Sequence, residues 1–419
     1  MSTLPAVAER LLRYVRYDTQ SDESSNSVPS TLKQLELSRL LVQELQQLGL
    51  ADAELDARGC VMATLPGNVA HPVPIIALMA HVDTSPELTG ANVQPQVHAA
   101  YDGGPLRLGG EYLLTPEQCP ELRDHVGHTI ITTDGSTLLG ADDKAGIAEI
   151  MTLLERLARD PKIPHGTLRV AFSCDEEIGR GADRVDVRKL GAQYGYTVDG
   201  ETWGQVENET FCADSAHVTC KGVNVHPGYA KDKLVNALKV AARFVELLPR
   251  AESPEATSGR HGYVHPVAVK GGVEEAVVKL ILRHFELDGL EAQHRLVAEV
   301  AEKAQAAFPG ARVFVSFEES YRNMRYVLDH HPDVVQHALD AVRRAGLQPE
   351  LHAIRGGTDG ARLSYMGLPT PNIFTGAHMF HSRYEWVAVE AMEAAVETLV
   401  QLVQIWVERS AVEAPVAPR

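Results

Sequence analysis

Five short stretches of the 419-residue sequence carry histidines and carboxylates that could bind metal. They are His81-Val82-Asp83, Asp142-Asp143, Asp175-Glu176-Glu177, Asp199-Gly200-Glu201 and His378-Met379-Phe380-His381. Each follows an apolar run or begins a helical one, and ligands in open α/β sheets collect at the carboxyl ends of strands. Histidines and carboxylates without cysteine are donors for zinc, manganese or cobalt. The set predicts a metal centre, and two metals sharing one carboxylate would suit peptide or amide hydrolysis.

Each stretch taken alone also has a simpler interpretation. On a strand, His81 and Asp83 point to the same face, so Asp83 could orient the imidazole, but both could equally lie in a surface loop. The Asp142-Asp143 pair could merely cap the helix that follows. The acidic run from Asp175 could be a solvated turn, although adjacent carboxylates at the end of a buried strand are costly without cations. The other two stretches are weak signals individually.

Strands alternate with helices in the segments that would position these residues. An amphipathic helix is predicted over residues 32–48, with Thr31 and Gln34 as a capping box and Gly49 at its end. Apolar runs at residues 73–80, 167–173, 196–198 and 370–374 predict buried strands. The alternation predicts an α/β sheet with helices on its faces.

The middle of the chain has a different pattern. Strands are predicted at 216–225, 277–285 and 312–317, with helices at 234–248 and 290–308 between them. This β-α-β-α-β order indicates a small α+β domain, residues 212–324, inserted into a larger domain formed by residues 1–211 and 325–419. Two domains are also what the chain length favours.

The composition of the chain argues against several classes of function. The net charge of −17 argues against nucleic acid as a partner, because phosphate binding requires basic surfaces. The five cysteines are irregularly spaced and include no C-x-x-C, which fits a reducing compartment. The N-terminus lacks the apolar stretch of a signal peptide, and no apolar run reaches the roughly 20 residues of a membrane span. We therefore expect a cytoplasmic protein without a membrane partner.

Taken together, these motifs resemble the M20 metallopeptidases, and within them the M20B branch that cleaves tripeptides. The matching stretches are His81 to Thr84, 139–146, 175–179, 196–200, 221–228, 354–362 and 381–385. Val-Asn-Val-His-Pro-Gly (223–228) and Arg-Gly-Gly-Thr-Asp-Gly (355–360) are narrow signals for that branch. The resemblance implies a zinc-exopeptidase-like catalytic domain, with a mixed sheet flanked by helices, and an inserted α+β lid of the dimerisation type.

The resemblance also implies two zinc ions per subunit, with manganese or cobalt as alternatives. The implied ligands are His81 and Asp199 for one ion, Glu177 and His381 for the other, and Asp142 as the bridge between them. Asp83 would steer His81, and the bond between Asp142 and Asp143 would be cis. Glu176 would be the general base, taking a proton from the attacking water and passing it to the leaving amine.

The lid is expected to bind a small peptide substrate. His226 would polarise the scissile carbonyl, from its own or a partner subunit, so a homodimer through the lid is expected. Arg283, Asn323 and Arg355 are candidates for binding the substrate's C-terminal carboxylate, with surface salt bridges as the alternative for the arginines. Cys174, where proline is expected, and residues 259–275 depart from the family pattern. The activity implied is a tripeptide aminopeptidase.

Two other functions use the same residues. An M20 amidohydrolase or carboxypeptidase, acting on N-acyl amino acids or other dipeptide-like amides, would need the same metals. A non-catalytic peptide- or metal-binding protein would tolerate loss of Glu176 or of a ligand, and the sequence retains all of them.

Overall fold

The computed structural model describes residues 4–413, which form two compact units. The first is made of residues up to Asn208, residues 324–352 and residues from 358 onward. The second consists of residues 209–323 together with 353–357. The sequence-based insertion, 212–324, begins and ends within three residues of the long segment of the second unit and does not include 353–357.

Helices and strands alternate along the chain in the first unit, and they follow one another in a different order in the second. The helices are α1 (Ala6–Tyr14), α2 (Gln34–Gln47), α3 (Ala141–Arg159), α4 (Gly181–Arg184), α5 (Val187–Leu190), α6 (Ala237–Leu247), α7 (Leu287–Ala306), α8 (Arg325–Leu328), α9 (Pro332–Arg344), α10 (Asp359–Tyr365) and α11 (Val389–Glu413). The strands are β1 (Glu54–Leu55), β2 (Val61–Leu65), β3 (Ile76–His81), β4 (Gln96–His98), β5 (Leu106–Arg107), β6 (Leu113–Leu114), β7 (Ile130–Thr132), β8 (Leu168–Ser173), β9 (Tyr194–Gly200), β10 (Gln205–Glu209), β11 (Cys212–Lys221), β12 (Tyr263–Gly271), β13 (Glu275–His284), β14 (Arg312–Tyr321), β15 (Glu350–Ala353), β16 (Asn372–Phe374), β17 (Ala377–His378) and β18 (Trp386–Ala388).

An eight-stranded mixed sheet forms the centre of the first unit, in the order β1-β2-β8-β3-β9-β16-β10-β15. Its four middle strands, β8, β3, β9 and β16, are parallel to one another. All six residues of β3 are buried, as expected of a parallel strand covered on both faces. Because the middle strands run in the same direction, their carboxyl ends lie along one edge of the sheet.

Helix α3 covers this sheet and is itself enclosed. It packs against β3 and β9 on one side and against α1 and α11 on the other. Ile147, Ile150, Met151 and Leu154 are fully buried. No helix within residues 4–413, including the 25-residue α11, combines the length and apolarity that a membrane crossing needs.

The second unit has its own antiparallel sheet, in the order β12-β13-β11-β14, packed against α6 and α7. Its core includes Val218, Leu280, Phe244 and Val297. The sequence prediction missed β12, an edge strand that contains Pro266 and has exposed residues from Val267 onward. Edge strands tolerate proline and lack a regular buried alternation, so the pattern was weak there.

The start of α2 was also predicted wrongly. The helix begins at Gln34, and Lys33 occupies the N-cap position without a side-chain bond. The Thr31 hydroxyl donates instead to the carbonyl oxygen of Gln20, so no capping box forms. At the other end, Gly49 has φ 96°, a left-handed conformation that suits glycine just after a helix.

Candidate metal centre

The carboxyl ends of β3, β8 and β9, the start of α3 and the loop after β17 bring five predicted side chains together. Within residues 4–413, two groups of three potential ligands have donor atoms within 4.8 Å of one another. The groups are His81, Asp142 and Asp199, and Asp142, Glu177 and His381. Asp142 belongs to both groups, so the five side chains form one continuous cluster.

The two carboxylate oxygens of Asp142 face opposite halves of this cluster. Its Oδ1 lies 2.9 Å from Nε2 of His81, and its Oδ2 lies 3.3 Å from Nε2 of His381. Asp199 Oδ1 is 3.6 Å from the same nitrogen of His81, and Glu177 Oε2 is 2.7 Å from that of His381. Two cations sharing Asp142 would each have one imidazole and one further carboxylate.

Asp143 joins the end of β3 to the start of α3. Its Oδ2 accepts the main-chain N–H of His81 at 3.1 Å, and its Oδ1 accepts that of Gly146 at 3.2 Å. The Asp142-Asp143 bond is cis, as the resemblance implied. A side chain at Gly146 would collide with the carbonyl oxygen of Val198, so glycine lets α3 approach β9 closely. The second aspartate of the pair is therefore structural and leaves Asp142 to face the cluster.

Asp83 is completely buried and fixes the acidic turn after β8. Its Oδ1 accepts the N–H of Glu176 at 2.9 Å, and its Oδ2 accepts the N–H of Glu177 at 3.2 Å. Nδ1 of His81 lies 3.1 Å from the Asp83 carbonyl oxygen and 3.5 Å from Oδ1. The predicted orientation of His81 thus involves the main chain as well as the carboxylate, and the carboxylate also positions the two glutamates.

The same turn is anchored from its other side by Asp175. This residue has φ 65° and is buried, and its carboxylate accepts hydrogen bonds from Ser30, Gln34 and Arg184. A non-glycine residue in the left-handed region is costly and persists only where its surroundings fix it. The acidic run is therefore a constrained turn, which excludes the solvated-turn alternative.

Asp199 is positioned by the neighbouring strand. Its N–H donates to Oδ1 of Asn372 at 3.1 Å, and Nδ2 of Asn372 donates to Glu207 at 2.6 Å. Burial raises the pKa of Glu207 to about 8. Sequence reasoning gave no role to Asn372 or Glu207, because neither lies in a recognisable motif.

The electrostatics of the cluster favour added positive charge. Burial opposes the charge on His381, but hydrogen bonds to Asp142 and Glu177 outweigh it and raise its pKa to about 11. Burial and then the charge of Asp142 raise the pKa of Glu177 to about 8. Its Oε1 is buried without a hydrogen-bond partner among the described residues. Buried carboxylates this close together need cations, so these residues fit a pair of divalent metals.

Glu176 lies next to the cluster and belongs to neither ligand group. Its Oε2 is 4.0 Å from Nε2 of His81, and it lines the same small cavity as His81 and Asp199. Burial raises the pKa of Glu176 well above its ordinary value. A carboxyl group that holds a proton this readily, beside two potential metal positions, has the properties of a general base.

The family follows from a direct match. Residues 132–405, well over half of the chain, match the model of peptidase family M20/M25/M40. The chain belongs to this peptidase family. Peptidase T of Geobacillus kaustophilus is 46% identical over 404 residues, which cover 96% of this chain and 98% of that protein. Peptidase T of Vibrio cholerae serotype O1 is 49% identical over 397 residues, covering 94% and 97%. The M20 resemblance inferred from the motifs is thereby confirmed.

Solved structures share the fold of this M20 peptidase. Aminopeptidase PepT from Bacillus cereus superposes with a TM-score of 0.74 at 23% identity, over 96% of this chain and 98% of that one. A tripeptidase from Staphylococcus aureus gives 0.75 at 21% identity, over the same shares. A dinuclear metal-binding M20 peptidase from Bacillus subtilis gives 0.63 at 16% identity, over 96% and 99%. The predicted fold class is confirmed.

Two of the residues predicted to bind substrate have internal partners in the second unit. Arg355 donates to the carbonyl oxygens of Gly259 and His261 at 2.6 and 2.7 Å. Asn323 is buried, accepts the N–H of Thr210 and donates to the carbonyl oxygen of Phe285. These bonds give both side chains a structural role within that unit. These contacts do not support the predicted binding of a substrate carboxylate by Arg355 and Asn323, which stays a prediction.

Of the other two, Arg283 also has internal partners in the same unit, whereas His226 is exposed. Arg283 donates to the carbonyl oxygens of Asp214 and Leu282, and its guanidinium lies 5.4 Å from the centre of the Tyr321 ring. His226 is exposed at the start of a 3₁₀ turn, and its Nδ1 accepts the N–H of Gly228 at 3.1 Å. That bond places the ring proton on Nε2, which leaves a donor available to a ligand.

Proposed function

We propose that this M20 peptidase is a tripeptide aminopeptidase that works with two zinc ions. His81, Asp142 and Asp199 would hold one ion, and Asp142, Glu177 and His381 the other. The observation that carries the proposal is the shared position of Asp142, whose two oxygens each face one of the imidazoles. Manganese or cobalt would also accept these donors. When bound, the ions would polarise the scissile carbonyl and acidify the attacking water.

Glu176 is the residue proposed to move the proton. Its partly buried carboxylate accepts a proton from the attacking water and then donates it to the nitrogen of the leaving group as the peptide bond breaks. The raised pKa supports this, because a stronger base accepts the proton of water more readily and can then return it to the leaving nitrogen. Asp83 and Asp175 hold the turn that places this carboxylate.

The substrate class rests on the relatives. The chain is 46–49% identical to proteins named Peptidase T over nearly its whole length. The similar structures include an aminopeptidase and a tripeptidase. We propose that His226 donates from Nε2 to the scissile carbonyl, and that Arg283, Asn323 and Arg355 belong to the binding region for the substrate's C-terminus. A homodimer through the second unit is part of the same proposal.

A zinc-loaded assay over alanine peptides tests this function. Di-, tri- and tetra-alanine are compared with N-acetyl-trialanine, and the released residue is identified. We expect trialanine to be cleaved best, with loss of its N-terminal residue, and the acetylated peptide to be resistant. Preference for the acetylated compound would instead indicate the amidohydrolase or carboxypeptidase alternative.

Glu176→Gln provides the second arm. Removing the base should lower kcat by about 10²–10⁴-fold while zinc content stays at the wild-type value. Glu54→Gln, in the exposed strand β1, is the matched control and should leave both quantities unchanged. Wild-type turnover in Glu176→Gln would exclude this residue as the base.

A further inference from the structure

Glu385 is a buried carboxylate that contacts the turn before α3. Only 1% of its surface is exposed. Its Oε2 accepts the main-chain N–H groups of Leu139 and Gly140 at 2.7 and 2.8 Å, and its Oε1 accepts the N–H of Asp142 at 3.0 Å. One side chain therefore satisfies three amides in a turn that leads into the shared ligand of the cluster.

The position of Glu385 in the chain gives these bonds a second consequence. It lies four residues after His381, at the end of the loop that carries this ligand. That loop contains two left-handed non-glycine residues, Met379 with φ 59° and His381 with φ 58°. Ser382 bonds the loop internally through the Met379 carbonyl oxygen. Glu385 then ties the loop to the Asp142 turn, so two ligands of the same proposed ion are fixed relative to each other.

A glutamine side chain at position 385 could not replace the carboxylate as the acceptor of all three main-chain N–H groups, including that of Asp142. Glutamine has one acceptor oxygen, and its NH₂ group would oppose a main-chain N–H. If the oxygen faces Leu139 and Gly140, the N–H of Asp142 faces another donor. If the amide is flipped, the other two N–H groups lose their acceptor. Each unpaired buried amide disfavours the present turn.

We infer that Glu385 is a positioning residue for the bridging carboxylate of Asp142, and through it for both metal ions. The inference rests on the proposed dinuclear centre. Partners that orient metal ligands typically affect metal affinity by 10–100-fold when they are changed. Because Asp142 contributes to both ligand groups, the loss should affect both ions.

The test compares Glu385→Gln with Glu390→Gln in the full-length protein. Oε2 of Glu390 accepts the main-chain N–H of Thr129 at 2.8 Å, away from the ligands. The oxygen of glutamine can keep this bond, so the control makes the same charge change without leaving a main-chain amide unpaired. Metal-free protein is titrated with Co²⁺ by calorimetry, and the visible spectrum of the bound cobalt is recorded. Melting temperature is measured for all proteins.

We expect Glu385→Gln to bind both cobalt ions about 10–100-fold more weakly, with an altered spectrum. Its kcat on trialanine should fall with little change in KM, because Glu385 is placed to act through Asp142. Glu390→Gln should bind cobalt with the wild-type affinity and spectrum, and its melting temperature should stay close to that of the wild type. Wild-type affinity and spectrum in Glu385→Gln, or an equal loss in Glu390→Gln, would overturn the inference.

If Glu385→Gln does not fold, Glu385→Asp replaces it with the same measurements, since the charge is retained and the reach is shortened by one methylene. Wild-type cobalt binding by the aspartate variant would likewise overturn the inference. If the wild-type protein itself binds fewer than two ions, the proposed centre fails, and this inference fails with it. If wild type binds two ions but cleaves no tripeptide, only the proposed substrate is wrong.

Discussion

Replacing Asp83 by asparagine should weaken both the stability of the acidic turn and the binding of metal beside it. The side chain keeps its volume, but one of its two oxygens becomes an NH₂ group. The N–H groups of Glu176 and Glu177 each use one oxygen, at 2.9 and 3.2 Å, in a fully buried position. One of the two amides therefore loses its acceptor and faces a donor.

The size of the effect follows from that single lost bond. A buried amide without an acceptor costs about 1–3 kcal/mol, so the free energy of unfolding should fall by about that amount. The same turn carries a ligand and the proposed base, so metal affinity should also fall by about 10–100-fold. Urea unfolding of the metal-free protein measures the first quantity, and calorimetric zinc titration measures the second.

Asp56→Ala is the control, because alanine removes the acceptor of two main-chain N–H groups in another turn. Oδ1 of Asp56 accepts the N–H groups of Arg58 and Cys60 at 2.8 and 3.0 Å, in a turn that does not contain a ligand. This variant should lose stability without losing zinc affinity. If Asp83→Asn likewise kept its wild-type affinity while it lost stability, Asp83 would be an ordinary turn cap and the reasoning would be refuted.

Three further predictions concern charge and assembly. Burial raises the pKa of Glu149, whose carboxyl oxygens have no partner among the described residues, so the folded protein keeps a proton that the unfolded chain releases. Glu149→Gln should therefore stabilise the protein, and the gain in the free energy of unfolding should grow by about 1.4 kcal/mol per pH unit between the pKa of Glu149 in the unfolded chain and its pKa in the folded protein. Urea unfolding at pH 5 and pH 8 measures this gain, and a gain that does not change with pH would contradict the prediction. Zinc binding should release protons, because hydrogen bonds to Asp142 and Glu177 raise the pKa of His381 to about 11 in the metal-free cluster. Calorimetric zinc titrations in two buffers of different ionisation enthalpy should therefore give different heats, and equal heats would refute this proton release. If His226 acts across a dimer, co-expressed His226→Ala and Glu176→Gln chains should form active hybrids, and inactive hybrids would place His226 in its own subunit.

The sequence was sufficient to predict the middle strands of the large sheet and the ends at which ligands meet. Residues 167–173 form a largely apolar run that Arg169 interrupts, and the bounds of β8 (Leu168–Ser173) agree with it closely. The reason is that a parallel strand buried on both faces leaves a simple pattern. The convergence of His81 and Asp142 also followed from a general rule about strand ends.

What the sequence could not predict depends on contacts between distant segments. Glu385 entered the sequence analysis only within the stretch 381–385 that resembles the family. The three main-chain N–H groups that donate hydrogen bonds to it lie about 245 positions earlier in the chain. Asn372 and Asp199 are related in the same way through neighbouring parallel strands. Arg355 was chosen for its charge, but its partners are main-chain carbonyl oxygens and the Thr257 hydroxyl, which no charge pattern in the sequence indicates.

The most direct test of the account is a crystal structure of the zinc-loaded protein, with anomalous diffraction recorded on both sides of the zinc absorption edge. Two zinc peaks should appear, about 3.5–4 Å apart, one on each side of the Asp142 carboxylate. A single peak, or zinc bound away from His81 and His381, would contradict the proposal that Asp142 joins two metal ions.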